Sequence, residues 1–195
     1  MENRISRPQA LEIANAAAKG LRTGGVILGG SALVAICSHI SVPLWFTPVP
    51  LTLQPFAVLL LGLLLGPRLA AATLAAYLLE GAAGLPVFAP GLAFGAGIGH
   101  LLGPTGGYLL SYPAAAALVA SLRRLARGFS GAMLSAAAGD AVILLCGMAW
   151  MTTWTHGSIR SAFALAVVPF LPGDALKVVA AAAIAKGLDR VRSQA

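Results

Sequence analysis

The stretch YLLEGAAGLPVFAPGLAFGAGIGHLLGPTGGY, from Tyr77 to Tyr108, decides how the rest of the chain is read. It is as apolar as a membrane segment, yet nine glycines fall between Gly81 and Gly107, with Pro86, Pro90 and Pro104 among them. No continuous helix tolerates that many interruptions. Each interruption frees backbone N–H and C=O groups that lipid cannot satisfy. The stretch is therefore expected inside protein or against a watery cavity, with the other segments as its walls. From Gly81 through Leu122 there is no Asp, Glu, Lys or Arg, and His100 is the one histidine.

Composition agrees with a membrane setting. The 195 residues are 58% hydrophobic and 10% charged, with a mean hydropathy of +0.87. Soluble domains carry about 25% charged residues. The net charge of +7 and pI near 10.3 would suit nucleic acid, but the charges sit in short clusters between apolar runs, as orientation signals do. No nucleic-acid-binding motif accompanies them, so no nucleic-acid partner is expected. Cys37 and Cys146 lie in apolar runs and read as packing residues. The first apolar run exceeds the roughly 7–15 residues of a signal-peptide core, so it reads as a retained span.

Working outward, six spans are expected in an all-α integral membrane protein. Residues 1–23 form a basic cytoplasmic segment, suited equally to the bilayer surface or to setting topology; Leu11, Ile13, Ala14, Ala17, Ala18 and Leu21 give it a weak helical face. Residues 24–188 form a single transmembrane domain, and 189–195 a cytoplasmic tail. Span 1 runs from Gly24 to Phe46. Its Gly25/Gly29 and Ser31/Ala35 pairs have the small-xxx-small spacing that lets another helix approach, from a partner subunit or a second copy. A connection rich in proline (Pro43, Pro48, Pro50, Pro55) leads to span 2, Leu51 to Gly66, and then span 3, Leu69 to Gly84. Both are short for a hydrocarbon core that needs about 20 residues. Span 4 starts near GPTGGY and ends before Arg123; span 5 covers Ser130 to Trp154. A last span beginning at Pro172 keeps proline in the first helical turn, where its missing N–H costs nothing. Residues 159–171 then form a separate short or re-entrant element.

Six spans place both termini on one side. Eleven of the 13 Lys and Arg fall in the two termini and the 2–3 and 4–5 connections. That side is the cytoplasm. The Gly/Pro-rich loop between helices 3 and 4, the 45–55 connection and the start of span 6 then converge on the outer face of the cytoplasmic (inner) membrane.

Few residues there can carry chemistry. Glu80, Asp140, Asp174 and Lys177 lie in or at the edge of spans, where a charge costs about 2.5–3.5 kcal/mol and needs a partner or a function. Asp174 and Lys177, spaced i,i+3, share a helix face. They read as a structural pair or as a polar anchor for a small ligand. Asp140 reads equally as a buried structural acid. Hydrolase, zinc-protease and phosphate-loop motifs are absent, and His39, His100 and His156 lack metal-ligand spacing. Neither an enzyme nor a metal or cofactor site is expected. With no nucleotide-binding element in the chain, transport would draw on another protein or an ion gradient.

The motifs VPLTLQPFAVLLLGLLLGPRLAAATLAAYLLEGAAGLPVFAPG, GPTGGYLLSY and PFLPGDALK, in this order, resemble the BioY family over about Gly24 to Leu188. These are the biotin-specific substrate-binding S components of energy-coupling-factor (ECF) vitamin transporters. The resemblance implies six helices, cytoplasmic termini and biotin bound near the outer surface. It also implies a transmembrane coupling subunit and two ABC-type ATPases as partners. The nearest equivalent of the family's first-helix Ala-xxx-Ala contact is Ser31 with Ala35, a departure that keeps small residues, and its last-helix charged pair falls on Asp174 and Lys177. Glu80 stands where relatives are expected to carry a small or apolar residue. On this reading Gln54, Asp174 and Lys177 supply polar contacts to biotin, while Tyr77, Phe88 and Tyr108 supply walls, with Glu80 and Asp140 as further candidates. Two alternatives stand: an S component for thiamin or riboflavin, and a solitary transporter driven by protons through Glu80 or Asp140.

Overall fold

The computed structural model describes residues 7–90, 97–126 and 128–194. Residues 91–96 of the Gly-rich stretch lie outside the described residues, as do Arg4 and Arg127 of the charge clusters. The side chains of Arg7, Leu11, Ile13, Ala14 and Arg192 lie outside them too.

The first element, α1 (Arg7–His39), is one unbroken helix, so the expected boundary at residues 23–24 falls inside it. It stops seven residues before the expected Phe46. Pro43 biases the residue before it toward extended backbone. Accordingly β1 (Ser41–Val42) pairs antiparallel with β2 (Leu51–Thr52), Ser41 opposite Thr52 and Val42 opposite Leu51. The Leu53 N–H donates to the Ile40 carbonyl at 3.0 Å and closes the hairpin.

Two prolines start the next two helices. Pro55 lies in the first turn of α2 (Gln54–Leu64) and Pro67 opens α3 (Pro67–Ala82). Every residue from Ala57 to Leu63 is buried. A helix that is apolar all round belongs in the middle of a bundle, and α2 packs against helices before and after it in sequence. Beyond α3 come α4 (Ile98–Leu102), α5 (Gly106–Leu125), α6 (Gly128–Met151), α7 (Ile159–Ala166) and α8 (Leu171–Gln194). The neighbours of α2 are α1, α3, α5, α6 and α8, while the broadest packing is between α5 and α6. Ser158 caps α7, its Oγ accepting from Ser161 N–H at 3.2 Å. As expected, a separate short helix precedes the last one; the two meet at a 52° bend.

Helices α1, α2, α3, α5, α6 and α8 fall on the six expected spans. Among the described residues, Asn15–His39 of α1 and all of α6 are each long and apolar enough to cross a bilayer, and α7 with α8 qualifies as a bent pair. At 11 residues, α2 is only about 16 Å long, half of the roughly 30 Å hydrocarbon core.

The bundle has two unlike ends. At one, Gly66 approaches Arg124, and Arg123 pairs with Asp189 of α8 at 2.5 Å. At the other lie the hairpin, residues 83–90 and 97–105, and the bend between α7 and α8.

Candidate functional site

A cavity of about 530 Å³, counting its mouth, opens at the hairpin end. Three segments distant in sequence line it. The hairpin and the start of α2 supply Val49, Pro50, Thr52, Gln54 and Pro55; the 83–105 connection supplies Phe88, Ala89, His100 and Thr105. The bend into α8 supplies Phe170, Asp174 and Lys177. Behind them, α5 gives Tyr108, Leu109 and Tyr112, and α6 gives Ile143 and Leu144.

Asp174 and Lys177 form the polar end. Lys177 Nζ donates to Asp174 Oδ1 at 2.7 Å across one turn of α8, and both side chains are at least nine-tenths buried. The Asp174 N–H donates to the Phe170 carbonyl at 2.8 Å, holding the carboxylate in the first helical turn. There the helix dipole favours its charge. The pair occupies one of the ammonium's three protons, which leaves donors for a ligand. Taking both charges out of water is costly, so a pair at a cavity edge gains from a ligand that completes its hydrogen bonds.

Close-packed aromatics form the walls. The Tyr77 and Phe88 rings meet edge-on with centroids 5.5 Å apart; Phe88 and His100 lie 5.3 Å apart, and Tyr108 and Phe170 6.1 Å apart. Two walls rest directly on glycine. A Cβ on Gly81 would lie 2.1 Å from the Phe88 ring, and one on Gly147 would lie 2.3 Å from the Tyr108 ring. Tyr108 OH donates to the Ala166 carbonyl at 2.5 Å and ties α5 to the end of α7.

A hydrogen-bond chain links the α2 entrance to the 83–97 connection. Gln54 Nε2 donates to Tyr77 OH at 2.5 Å, and Tyr77 OH donates to the Val87 carbonyl at 2.9 Å. Ser38 Oγ donates to the same carbonyl at 2.7 Å. His100 Nε2 lies 3.1 Å from the Ala89 carbonyl, so that nitrogen carries a proton. The backbone on both sides of Phe88 is thereby pinned.

Of the residues singled out in the sequence, Gln54, Phe88, Tyr108, Asp174 and Lys177 meet at the cavity. Tyr77 does not line it; fully buried, it stands one layer behind and holds Gln54 and Val87. Glu80 is elsewhere, accepting a hydrogen bond from Ser31 Oγ between α3 and α1. Asp140 is buried on α6 just beyond the lining, and its Oδ1 has no hydrogen-bond partner. On α1 the four small residues divide. Gly25 and Gly29 face open space, whereas Ser31 is buried and Ala35 packs against the core. Sequence reasoning missed His100, Tyr112 and Phe170 as lining residues. Tyr112 follows Tyr108 by four positions and Phe170 precedes Asp174 by four, so helical spacing carried the signal.

The model of the BioY family matches residues 10–194. The chain is 40% identical over 157 residues to a probable biotin transporter of Pyrococcus horikoshii, covering 80% of this chain and 90% of that one. It is 38% identical over 161 residues to a biotin transporter of Thermotoga maritima, covering 83% and 92%. The fold is similar to the crystal structure of the S-component for biotin from an ECF-type ABC transporter, with a TM-score of 0.79, 24% identity and coverage of 89% and 93%.

Proposed function

The chain belongs to the BioY family, and on that premise we propose that its cavity binds biotin and that the protein captures this vitamin for uptake across the cytoplasmic membrane. It is a transport component and not an enzyme. The observation that carries the reading is a single cavity joining the buried Asp174–Lys177 pair to aromatic and aliphatic walls. Biotin's ureido head needs acceptors for two N–H groups and a donor for one carbonyl; its thioether ring and chain need apolar surface. Asp174, Lys177 and Gln54 are the polar contacts in this reading. Phe88 and Tyr108 are walls, and Tyr77 supports them from behind.

The same reading assigns six membrane spans to α1, α2, α3, α5, α6 and α8. Both termini lie in the cytoplasm and the cavity opens outward, as the arginine and lysine clusters favour. Residues 24–188 are the transmembrane unit between a basic N-terminal segment and a short tail. The short α2 fits because its neighbours surround it within the bundle. The structurally similar S-component belongs to an ECF-type ABC transporter. We infer equivalent partners here, a transmembrane coupling subunit and separate ATPases, with Gly25 and Gly29 on the free face of α1. A second reading, a solitary proton-driven carrier, is favoured by one observation, the unpartnered oxygen of buried Asp140.

The test is retention of labelled biotin by the purified protein in lipid, with thiamin and riboflavin as competitors. Binding is expected for biotin alone, and Asp174→Asn and Lys177→Ala are expected to abolish it while membrane insertion persists. Unchanged binding in both variants would refute the site. Uptake that survives loss of every ATPase partner but collapses with an uncoupler would favour the solitary carrier.

A further inference from the structure

Asp140 is a buried acid that the biotin-capture reading does not use. Its position follows from two helices that pack face to face. On α6, Ala132 and Ala136 pack in one buried cluster with Val178, Ala181, Ala182 and Ala185 of α8. Small side chains at such a contact let helix backbones come close. Further along the same face of α6, Ile143 and Leu144 line the cavity. Asp140 lies between these two groups, one turn beyond Ala136 and one turn before Leu144.

Lys177 occupies the matching position on α8. It follows Asp174 at the cavity and precedes Ala181 in the alanine cluster by one turn. The two helices run antiparallel, so the alanine contacts below and the cavity residues above bring Asp140 and Lys177 to the same depth. Yet the ammonium is bonded to Asp174, and Asp140 Oδ1, in a side chain more than nine-tenths buried, is bonded to nothing.

An empty acceptor on α6, at the depth of an ammonium on the packed helix α8 that already has a partner, has a use when that partner is taken away. A ligand N–H group that donates to Asp174 Oδ1 competes with Lys177 for that oxygen. The displaced ammonium would then be a buried, unpaired charge. We propose that Asp140 is a positioning residue that receives Lys177 when ligand engages Asp174, keeping the ammonium at the cavity floor with a proton aimed at the ligand's carbonyl. This device suits a ligand head that both donates and accepts, such as a cyclic urea, and it rests on the reading of Asp174 and Lys177 as the ligand's polar anchor.

The experiment is biotin titration of the full chain in lipid nanodiscs, with ligand-free melting measured alongside. Asp140→Asn is expected to weaken binding about tenfold, the scale of one lost hydrogen bond to a charged group. Ligand-free melting should be unchanged or raised, because in the resting state Asp140 Oδ1 supports nothing. Asp140→Glu should restore most of the affinity. The double variant with Lys177→Arg, which keeps a cation, should lose less than the product of the two single losses. Asp140→Asn affinity within twofold of wild type overturns the inference. So does a loss of affinity that multiplies independently with Lys177→Arg, or one accompanied by a fall in ligand-free melting. If the wild-type chain binds no biotin, the ligand reading itself fails; normal wild-type binding with an indifferent Asp140→Asn variant removes this inference alone.

Discussion

The Phe88 ring packs on the backbone of Gly81, so closely that a Cβ there would sit 2.1 Å from the ring's Cζ. Phe88 is itself buried between Tyr77 and His100 and has little room to swing aside. Glycine in α3 costs about 1 kcal/mol of helix stability relative to alanine. Overpacking a core costs about 1–3 kcal/mol, so the steric effect wins. Gly81→Ala should lower biotin affinity about tenfold by displacing Phe88. Gly24→Ala, in open space on α1, should leave binding unchanged and raise the melting temperature. Titration and thermal unfolding of the two variants check this.

The Asp174–Lys177 pair separates stability from function. Asp174→Leu alone leaves a buried ammonium without its partner, at a cost of about 3–5 kcal/mol. A double variant, Asp174→Leu with Lys177→Met, removes both charges and should recover most of the lost stability. Neither should retain biotin. Thermal unfolding read beside radioligand retention distinguishes the two effects.

Tyr77 acts through its neighbours. Tyr77→Phe keeps the ring against Phe88 but removes the acceptor for Gln54 Nε2 and one of two donors to the Val87 carbonyl. A loss of about 1–3 kcal/mol in stability is expected for the polar groups left behind. Binding should weaken several-fold without being abolished, since Gln54 keeps its place on α2. Titration of Tyr77→Phe against Gln54→Leu, which removes a lining residue outright, measures the difference.

The Ser31–Glu80 contact should be structural only. It joins α1 to α3, and neither residue lines the cavity. Ser31→Ala should cost about 1–3 kcal/mol of stability, because a partly buried carboxylate loses its donor. Biotin affinity should stay within about twofold of wild type. A large loss of affinity in Ser31→Ala would show that α1 packing reaches the site.

Much of this was legible in the residues. Hydropathy and the clustering of arginine and lysine identified a membrane protein. Pro172 and Asp174 located the start of the last helix to within a residue, because proline and a dipole-facing acid are local signals. Part of the glycine-broken stretch, Phe88, Ala89, His100 and Thr105, lines the cavity. Asp174 and Lys177 could be named from their spacing on one helix face, whereas Gln54, Phe88 and Tyr108 were named through motifs that resemble the BioY family.

Tertiary packing decided the rest. Pattern alone extended span 1 to Phe46, but the hairpin from Ser41 to Thr52 ends that helix at His39 and forms one wall of the cavity. Tyr77 looked like a wall and became a support, because the way α3 turns against α5 and α1 sets which face meets the ligand. Ser31 shares a small-residue stripe with Gly25 and Gly29, yet it faces Glu80, 49 residues away. Asp140 gained its meaning from Lys177 on another helix. The sequence by itself determined the Tyr77–Tyr108 breaks and the Asp174–Lys177 pair, because backbone hydrogen bonding and helix spacing act over a few residues. Only the assembled bundle decided which of those groups share one cavity, because contacts between helices depend on register and close approach at positions such as Gly81 and Gly147.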